Sequence, residues 1–517
     1  MKKIIIVVLL LHCTYINIMA QTNGDDIFNL SELFNENDCA TPIDDERYFT
    51  IPNGLYSHKQ VLNIPASSQA DLLHKVLIIV DSTLYSELTF EINRYAYDVH
   101  YVYGCNVIME RVDSETCLDI KGLIVYYQNN LDGCVFIGDI VPAFYETDKD
   151  YANPYSYDSI NWPCDMYYMD LTGTWTDTNH NNIFDTYNGD KRPEIFVGRI
   201  STSNMGNLID EIEGMRLFLN KNHKYWIGHR KVNKKYGLTY TNRDWVRPDQ
   251  PGVTRVFRHS IDTLYGGNNY EHIDELANSD IFGKTDYMER MQDVRYEFIQ
   301  LASHSWDTAH ASFGHANDTI LGNEVFSNGL KALGLNLFCC SACRWVSASQ
   351  TNAFMAGDYI YSPISDGLCV VGCTKVGSMY PFADFYTSLG QGKTMGQALV
   401  DWWSTYSMPM YTSQQVLCWN FGLTIIGDPL VNFFHCTNST CQDIITLTTY
   451  DNTNSPLSYY LANEKIQIPS SASFVIPVKD HCILNAPTVE IQGEFFCPRL
   501  STLEILNEGC QDNCDEE

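Results

Sequence analysis

From residue 75 onward the apolar positions fall into short unbroken runs separated by amphipathic stretches. Lys75 to Val80 is a continuous run of strand length and Leu84 to Tyr97 has helical spacing. A strand follows near Val102 to Met109, a helix near Leu118 to Gln128, and a third apolar run at Cys134 to Gly138. This alternation predicts parallel strands joined by crossover helices, and unbroken apolar strands predict a sheet covered on both faces. The pattern resumes with Ile195 to Ile200 and a helix near Asn204 to Leu219. A second unit has strands near Tyr236 to Thr241, Phe298 to Ser303, Leu335 to Ala342 and Leu368 to Gly372. Its helices lie near Tyr287 to Tyr296, Thr351 to Tyr361, Phe382 to Leu389 and Met395 to Thr405.

The two ends of the chain read differently. Met1, Lys2 and Lys3 precede the apolar run Ile4 to Leu11, and a polar stretch closes on Ala20 before Gln21. A basic start, a short apolar run and a small-residue cleavage site predict an export signal over residues 1–20. That run is shorter than the about 20 apolar residues a spanning helix needs. Cys13 raises a lipoprotein alternative, but His12 stands where lipid attachment favours a small residue. Residues 21–68 lack a period and carry Asn, Asp, Ser and Pro, which predicts an N-terminal arm packed on the following domain. The polar segment His435 to Asp443 marks a boundary. Beyond it come short stretches rich in Ile, Val, Thr and Ser, then an acidic tail, Asp512 to Glu517.

The expected fold class is therefore α/β: parallel-sheet units in two subdomains, 69–225 and 226–436, followed by a small all-β module at 437–517 with an acidic tail. A chain of 517 residues exceeds the length at which a single core stops growing, about 250–300 residues, so several domains are expected. The 33 basic and 63 acidic residues give a net charge of −30, a field that repels nucleic acid and anionic membranes. Nucleic acid is excluded as a partner on this ground, and cations are favoured. The chain has 18 cysteines, and loss of Cys13 with the signal leaves 17 (18 − 1), an odd number in a setting that permits disulfides.

Two strand ends carry candidate chemistry. The run Phe298 to Ser303 delivers His304 and Ser305, and the run Leu335 to Ala342 delivers Cys343. In an open parallel sheet the carboxyl ends of the strands face one crevice, so a histidine and a thiol can meet there. A thiol of ordinary pKa, about 8.5, is mostly protonated at neutral pH, and a nearby imidazole promotes the nucleophilic thiolate. The backbone N–H groups of Ser305 and Cys343 are candidate oxyanion donors, each such donor contributing about 3 kcal/mol. Taken alone, a His and a Cys separated by 39 positions (343 − 304) are unremarkable, and cysteine is more often packing than chemistry. Cys339 and Cys340 compete for the nucleophile but fall inside the expected strand. His310 and His315 compete for the acid/base but fall in an expected loop.

Context narrows the choice. The block Leu301 to Trp306, followed by Leu337 to Cys343, resembles the paired His and Ala-Cys blocks of caspase-like cysteine peptidases. More specifically the chain resembles the gingipain family, through Val135 to Ala143, Asp165 to Leu171, Pro193 to Ile200 and Leu423 to Pro429, in order over about residues 70–436. The resemblance implies a caspase-like fold in two parts and a secreted cysteine endopeptidase at the envelope or exterior of a bacterium. It places Cys343 and His304 in the catalytic positions and suggests protein or peptide substrates with a basic residue before the scissile bond. Where the family has glycine after the histidine, this chain has Ser305. An orienting group for His304 is expected at the neighbouring strand end, with Asn242 at the matching place and Asp244 as the nearby carboxylate. Two alternatives stay open: a surface-processing transpeptidase of the same fold, and a non-catalytic surface-binding protein.

A second chemical signal is the stretch Asp177 to Asp185. Asp177, Asn179, Asn181, the backbone of Ile183, and Asp185 alternate as oxygen donors, which suits structural calcium with its 6–8 oxygen ligands at about 2.4 Å. The stretch lacks the glycine and closing glutamate of an EF-hand; Asn188 or Asp190 stands where the shell would close. The alternative is an Asn/Asp-rich turn without metal.

Overall fold

The computed structural model describes residues 43, 56–65, 74–226, 235–246, 256–257, 260–267, 270–277, 283–313, 318–346, 353–405, 413–433, 442–450, 457–477, 481–499 and 501–506. The expected signal (1–20), nearly all of the N-terminal arm before residue 56 and the acidic tail lie outside the described residues.

Eleven strands form one sheet: β1 (Ser57–Ile64), β2 (Lys75–Asp81), β3 (Asn106–Asp113), β4 (Leu131–Ile137), β5 (Phe196–Ile200), β6 (Tyr236–Thr241), β7 (His272–Ala277), β8 (Tyr296–Ala302), β9 (Ala332–Phe338), β10 (Cys369–Cys373) and β11 (Leu423–Gly427). Their order across the sheet is β1-β3-β2-β4-β5-β11-β10-β9-β8-β6-β7. The two expected α/β units therefore share one continuous, mostly parallel sheet. Strand β11 makes the join, antiparallel to β10 and parallel to β5. Helices Thr89–Asp98, Glu211–Trp226 and Met395–Thr405 are among those that accompany the sheet. Strands β2, β4, β5, β8, β9, β10 and β11 are buried nearly end to end, as their unbroken apolar runs predict.

Several boundaries differ from expectation. Residues 57–64, expected within the N-terminal arm packed on the following domain, form the edge strand β1, antiparallel to β3; its exposed half is polar, so hydrophobicity did not reveal it. The helix expected near Asn204 begins later, at Glu211, because Gly206 adopts φ +58° and turns occupy the interval. Asp210 accepts from the Glu213 N–H at 3.1 Å and so caps the start. Strand β9 ends at Phe338, four residues before the expected Ala342.

The segments matched in the family resemblance become buried polar anchors. Arg199, on β5, makes a bidentate pair with Asp165, its Nη2 lying 2.7 Å from Oδ1, and donates to the Ile140 carbonyl. Asp165 also accepts from the Thr424 hydroxyl on β11. Just after β11, Asp428 accepts from Tyr95, Asn222, Trp226 and the Leu430 N–H. A buried carboxylate this fully bonded replaces the water it has lost.

From Gln442 to Leu506 the regular elements among the described residues are strands, and the pairs they form are parallel. Leu457 pairs with His481, and His481 with Thr502, so the chain returns to the same column after 24 (481 − 457) and then 21 (502 − 481) residues. Parallel pairing at that period is a solenoid-like winding, each turn resting on the last. Phe474 and Phe495 stack between successive turns at 5.8 Å.

Candidate active site

Strands β8 and β9 are parallel neighbours with Ala302 level with Phe338. His304 lies two residues past the first and Cys340 two residues past the second. The last rung between them is the Ser303 N–H donating to the Phe338 carbonyl at 3.2 Å, and beyond it the Ser305 hydroxyl donates to the Cys340 carbonyl at 2.7 Å. The two segments thus run side by side past the sheet.

The next strand, β6, is level with β8 through Thr241 and Ala302. After it, Asn242 donates its N–H to the Ala302 carbonyl and accepts through Oδ1 from the Asp244 N–H. Asn242 therefore shapes a short 3-10 turn, Arg243–Trp245. That turn delivers Asp244, whose Oδ2 is 3.0 Å from His304 Nε2. His304 is 6% exposed and lies against Trp245, with ring centroids 4.8 Å apart. Trp245 in turn contacts Phe257 and Phe338. The histidine is thus held by a carboxylate on one edge and an indole on its face.

The expectation for Cys343 is not met. Its side chain is 0% exposed, and burial pushes its thiol well above the usual range. A Cβ placed on Gly372 of β10 would meet the Cys343 sulfur at 2.7 Å and Leu337 Cβ at 3.3 Å. Cys343 therefore shares the Leu337 side of the sheet. Side chains alternate along a strand, so Phe338 faces the other side, where it meets Trp245 and hence the His304 face. The sulfur at 343 and the imidazole at 304 lie on opposite sides. The Cys343 N–H is also spent, donating to the Cys373 carbonyl at 3.1 Å, which removes it as an oxyanion donor.

Gly372→Ala is expected to destabilise the protein by about 1–3 kcal/mol, as overpacking does. Part of that loss should return in Gly372→Ala/Cys343→Ala, because removing the sulfur opens the space. Urea unfolding of the single and double variants checks this, and equal midpoints would place the sulfur elsewhere.

Cys340 has the surroundings Cys343 lacks. It is half-buried and lines a small cleft with Trp245, Ser303, Phe338, Cys339, Gly377 and Trp419. Cys339 is buried, its thiol pushed up to about 12 by burial, and points its sulfur at the Leu301 carbonyl. The sequence analysis set Cys340 aside as a competitor because it carried the strand through the apolar letters to Ala342. The equal offset of His304 and Cys340 is measured from the ends of β8 and β9, and in the letters alone Cys339 and Cys340 continue the apolar run.

Ser305 begins a hairpin strand, Ser305–Trp306, against Ala309–Phe313. The Ala311 N–H donates to the His304 carbonyl at 2.7 Å, so Ser305 and His310 face each other as a non-hydrogen-bonded pair. In that register the Ser305 N–H points away from the hairpin partner. His310 is buried beside the Tyr359 hydroxyl, and burial pushes it down to about 3, so it stays neutral and has no proton to give near neutral pH. His315 lies outside the described residues.

The stretch Asp177 to Asp185 forms the loop of a hairpin between Thr174–Thr176 and Thr186–Asn188. Asp177 accepts from the N–H groups of His180, Asn181 and Asn182, Asn179 Oδ1 from that of Asn181, and Asn181 Oδ1 from that of Ile183. Asp185 Oδ2 accepts from Thr178, while its Oδ1 is buried without a partner. Glu146 Oε1 lies 2.7 Å and 2.9 Å from the side-chain amides of Asn179 and Asn181. Among the described residues no three His, Cys, Asp or Glu side chains converge as a metal cluster. The donors that fit calcium here are amide and carboxylate oxygens, with the orphaned Asp185 Oδ1 the clearest vacant acceptor.

Compared with known proteins, the chain matches no family model and no curated relative. Among the described residues no helix is long and apolar enough to cross a membrane.

Proposed function

We propose that the chain is a cysteine endopeptidase of caspase-like α/β fold, with Cys340 as nucleophile and His304 as general acid/base. The observation that carries this reading is the register: both residues leave adjacent parallel strands two positions past a level pair, on the face of Trp245. Asp244 on Nε2 orients the imidazole and assigns Nδ1 to the proton exchanged with sulfur. The Cys340 thiolate attacks the scissile carbonyl, and the Ser305 N–H stabilises the oxyanion. His304 protonates the departing amine, and water then resolves the thioester.

The export-like residues 1–20 and the family resemblance support action outside the cell or at a bacterial envelope, on proteins or peptides with a basic residue before the cut. The test is labelling of purified protein with a basic peptidyl chloromethyl ketone followed by peptide mapping. Label on Cys340 together with peptide cleavage supports the reading; label on Cys343, or none, overturns it. Adding an amine acceptor to the cleavage assay separates hydrolysis from transpeptidation by product mass.

We also propose that Asp177, Asn179, Asn181, the Ile183 carbonyl and Asp185 hold a structural calcium ion. Calcium there would tie the hairpin loop to itself and take up the unpaired Asp185 oxygen. Added calcium is expected to raise the thermal midpoint by several degrees in wild type and not in Asp177→Ala/Asp185→Ala. An equal response in both proteins would remove the ion from this loop.

A further inference from the structure

The hydroxyl of Ser305 has no counterpart in a family with glycine at that place. We infer that this hydroxyl is a positioning residue that fixes the Cys340 sulfur for attack, an inference that rests on the peptidase reading. Ser305 is buried, and its Oγ donates to the Cys340 carbonyl at 2.7 Å. On the other end of the same peptide group, the Ser341 N–H donates to the Lys375 carbonyl at 3.0 Å. The Cys340–Ser341 peptide is thus gripped at its oxygen from the His304 segment and at its nitrogen from the segment after β10.

Such a grip is needed, because Ser341 adopts φ +56°. A non-glycine residue holds that conformation only when its surroundings impose it. Fixing the peptide plane fixes ψ of Cys340, and with it the direction in which the Cα–Cβ bond leaves the backbone. The same bond extends the β8–β9 connection past its last rung, so the acid/base and the nucleophile move as one unit. Glycine provides no donor for this. Catalysis tolerates little error in the placement of reacting atoms, since a misplacement of about 1 Å costs up to about 100-fold.

The test compares Ser305→Ala and Ser305→Thr with wild type in kcat, KM and the rates of Cys340 modification by two reagents. A peptidyl chloromethyl ketone needs the sulfur in attack geometry beside His304, whereas iodoacetamide needs only an accessible thiolate. Ser305→Ala is expected to lower kcat and the chloromethyl ketone rate about tenfold, with KM and the iodoacetamide rate within about twofold. Ser305→Thr, which keeps the hydroxyl, is expected to restore kcat to within about threefold. If the alanine variant does not fold, Ser305→Gly repeats the measurement without a methyl group to accommodate.

An unchanged kcat overturns the positioning role. So does a loss spread equally over KM, both reagents and thermal midpoint, which is the pattern of a merely structural contact. Failure of the peptidase reading shows earlier and separately, as wild-type Cys340 that takes no chloromethyl ketone.

Discussion

Cys340→Ala is expected to lower peptide-bond cleavage by about 10⁴-fold or more, the scale seen when a covalent nucleophile is removed. Cys343→Ala is expected to keep activity within a few fold and to cost about 1–2 kcal/mol of stability, as loss of a small buried group does. The contrast follows from position. Cys340 lines a cleft on the His304 face, while Cys343 is sealed beside Gly372 on the opposite face. A desolvated thiol far from a proton acceptor does not ionise at neutral pH. Steady-state assays with a fluorogenic peptide, paired with thermal unfolding, read both effects. Loss of activity in Cys343→Ala with Cys340→Ala active would reverse the assignment.

Arg199→Met is expected to destabilise the protein by about 3–5 kcal/mol, because it strands the Asp165 carboxylate in the interior. The pair is 3% and 0% exposed, and Asp165 is left with the Thr424 hydroxyl. Arg199 also stacks its guanidinium 4.4 Å from the Trp345 ring centroid, so the loss includes packing at the end of the Cys343 turn. Arg199→Met/Asp165→Leu is expected to recover much of the deficit, since a buried ion pair costs desolvation that two apolar side chains avoid. Urea midpoints of the single and double variants decide this. A double variant as unstable as the single one would show that the two charges do not act as a unit.

Most of the sheet was legible because its central strands are apolar on both faces. Runs such as Lys75 to Val80 and Phe298 to Ala302 need no context to be recognised as buried strands. Strand β11 was not read as a strand, although its Leu-Thr-Ile-Ile-Gly letters were noted, because nothing local indicates that it lies between two halves of one sheet. Strand β7 was missed as well, since His272, Asp274 and Glu275 dilute its apolar character. The end of β9 was misread for a related reason. Cys339, Cys340 and Ala342 have the hydrophobicity of a strand, but residues 340–343 form a turn in which the Ser341 and Cys343 N–H groups donate to the Lys375 and Cys373 carbonyls. Hydrophobicity reports burial, and a buried turn and a buried strand look alike in it.

By itself the sequence determined the α/β character, the parallel crossovers and the arrival of His304 at a strand end, because periodicity and burial are local properties of the letters. It also put Asp244 and Asn242 near the end of β6 without dividing the work between them. Only the tertiary structure decided that Asp244 reaches the imidazole while Asn242 shapes its turn. It also decided that Cys340 shares the face of His304 and Cys343 does not. Which side of a sheet a residue takes after its strand ends depends on bonds to neighbouring strands far away in the chain, and no local pattern encodes those partners.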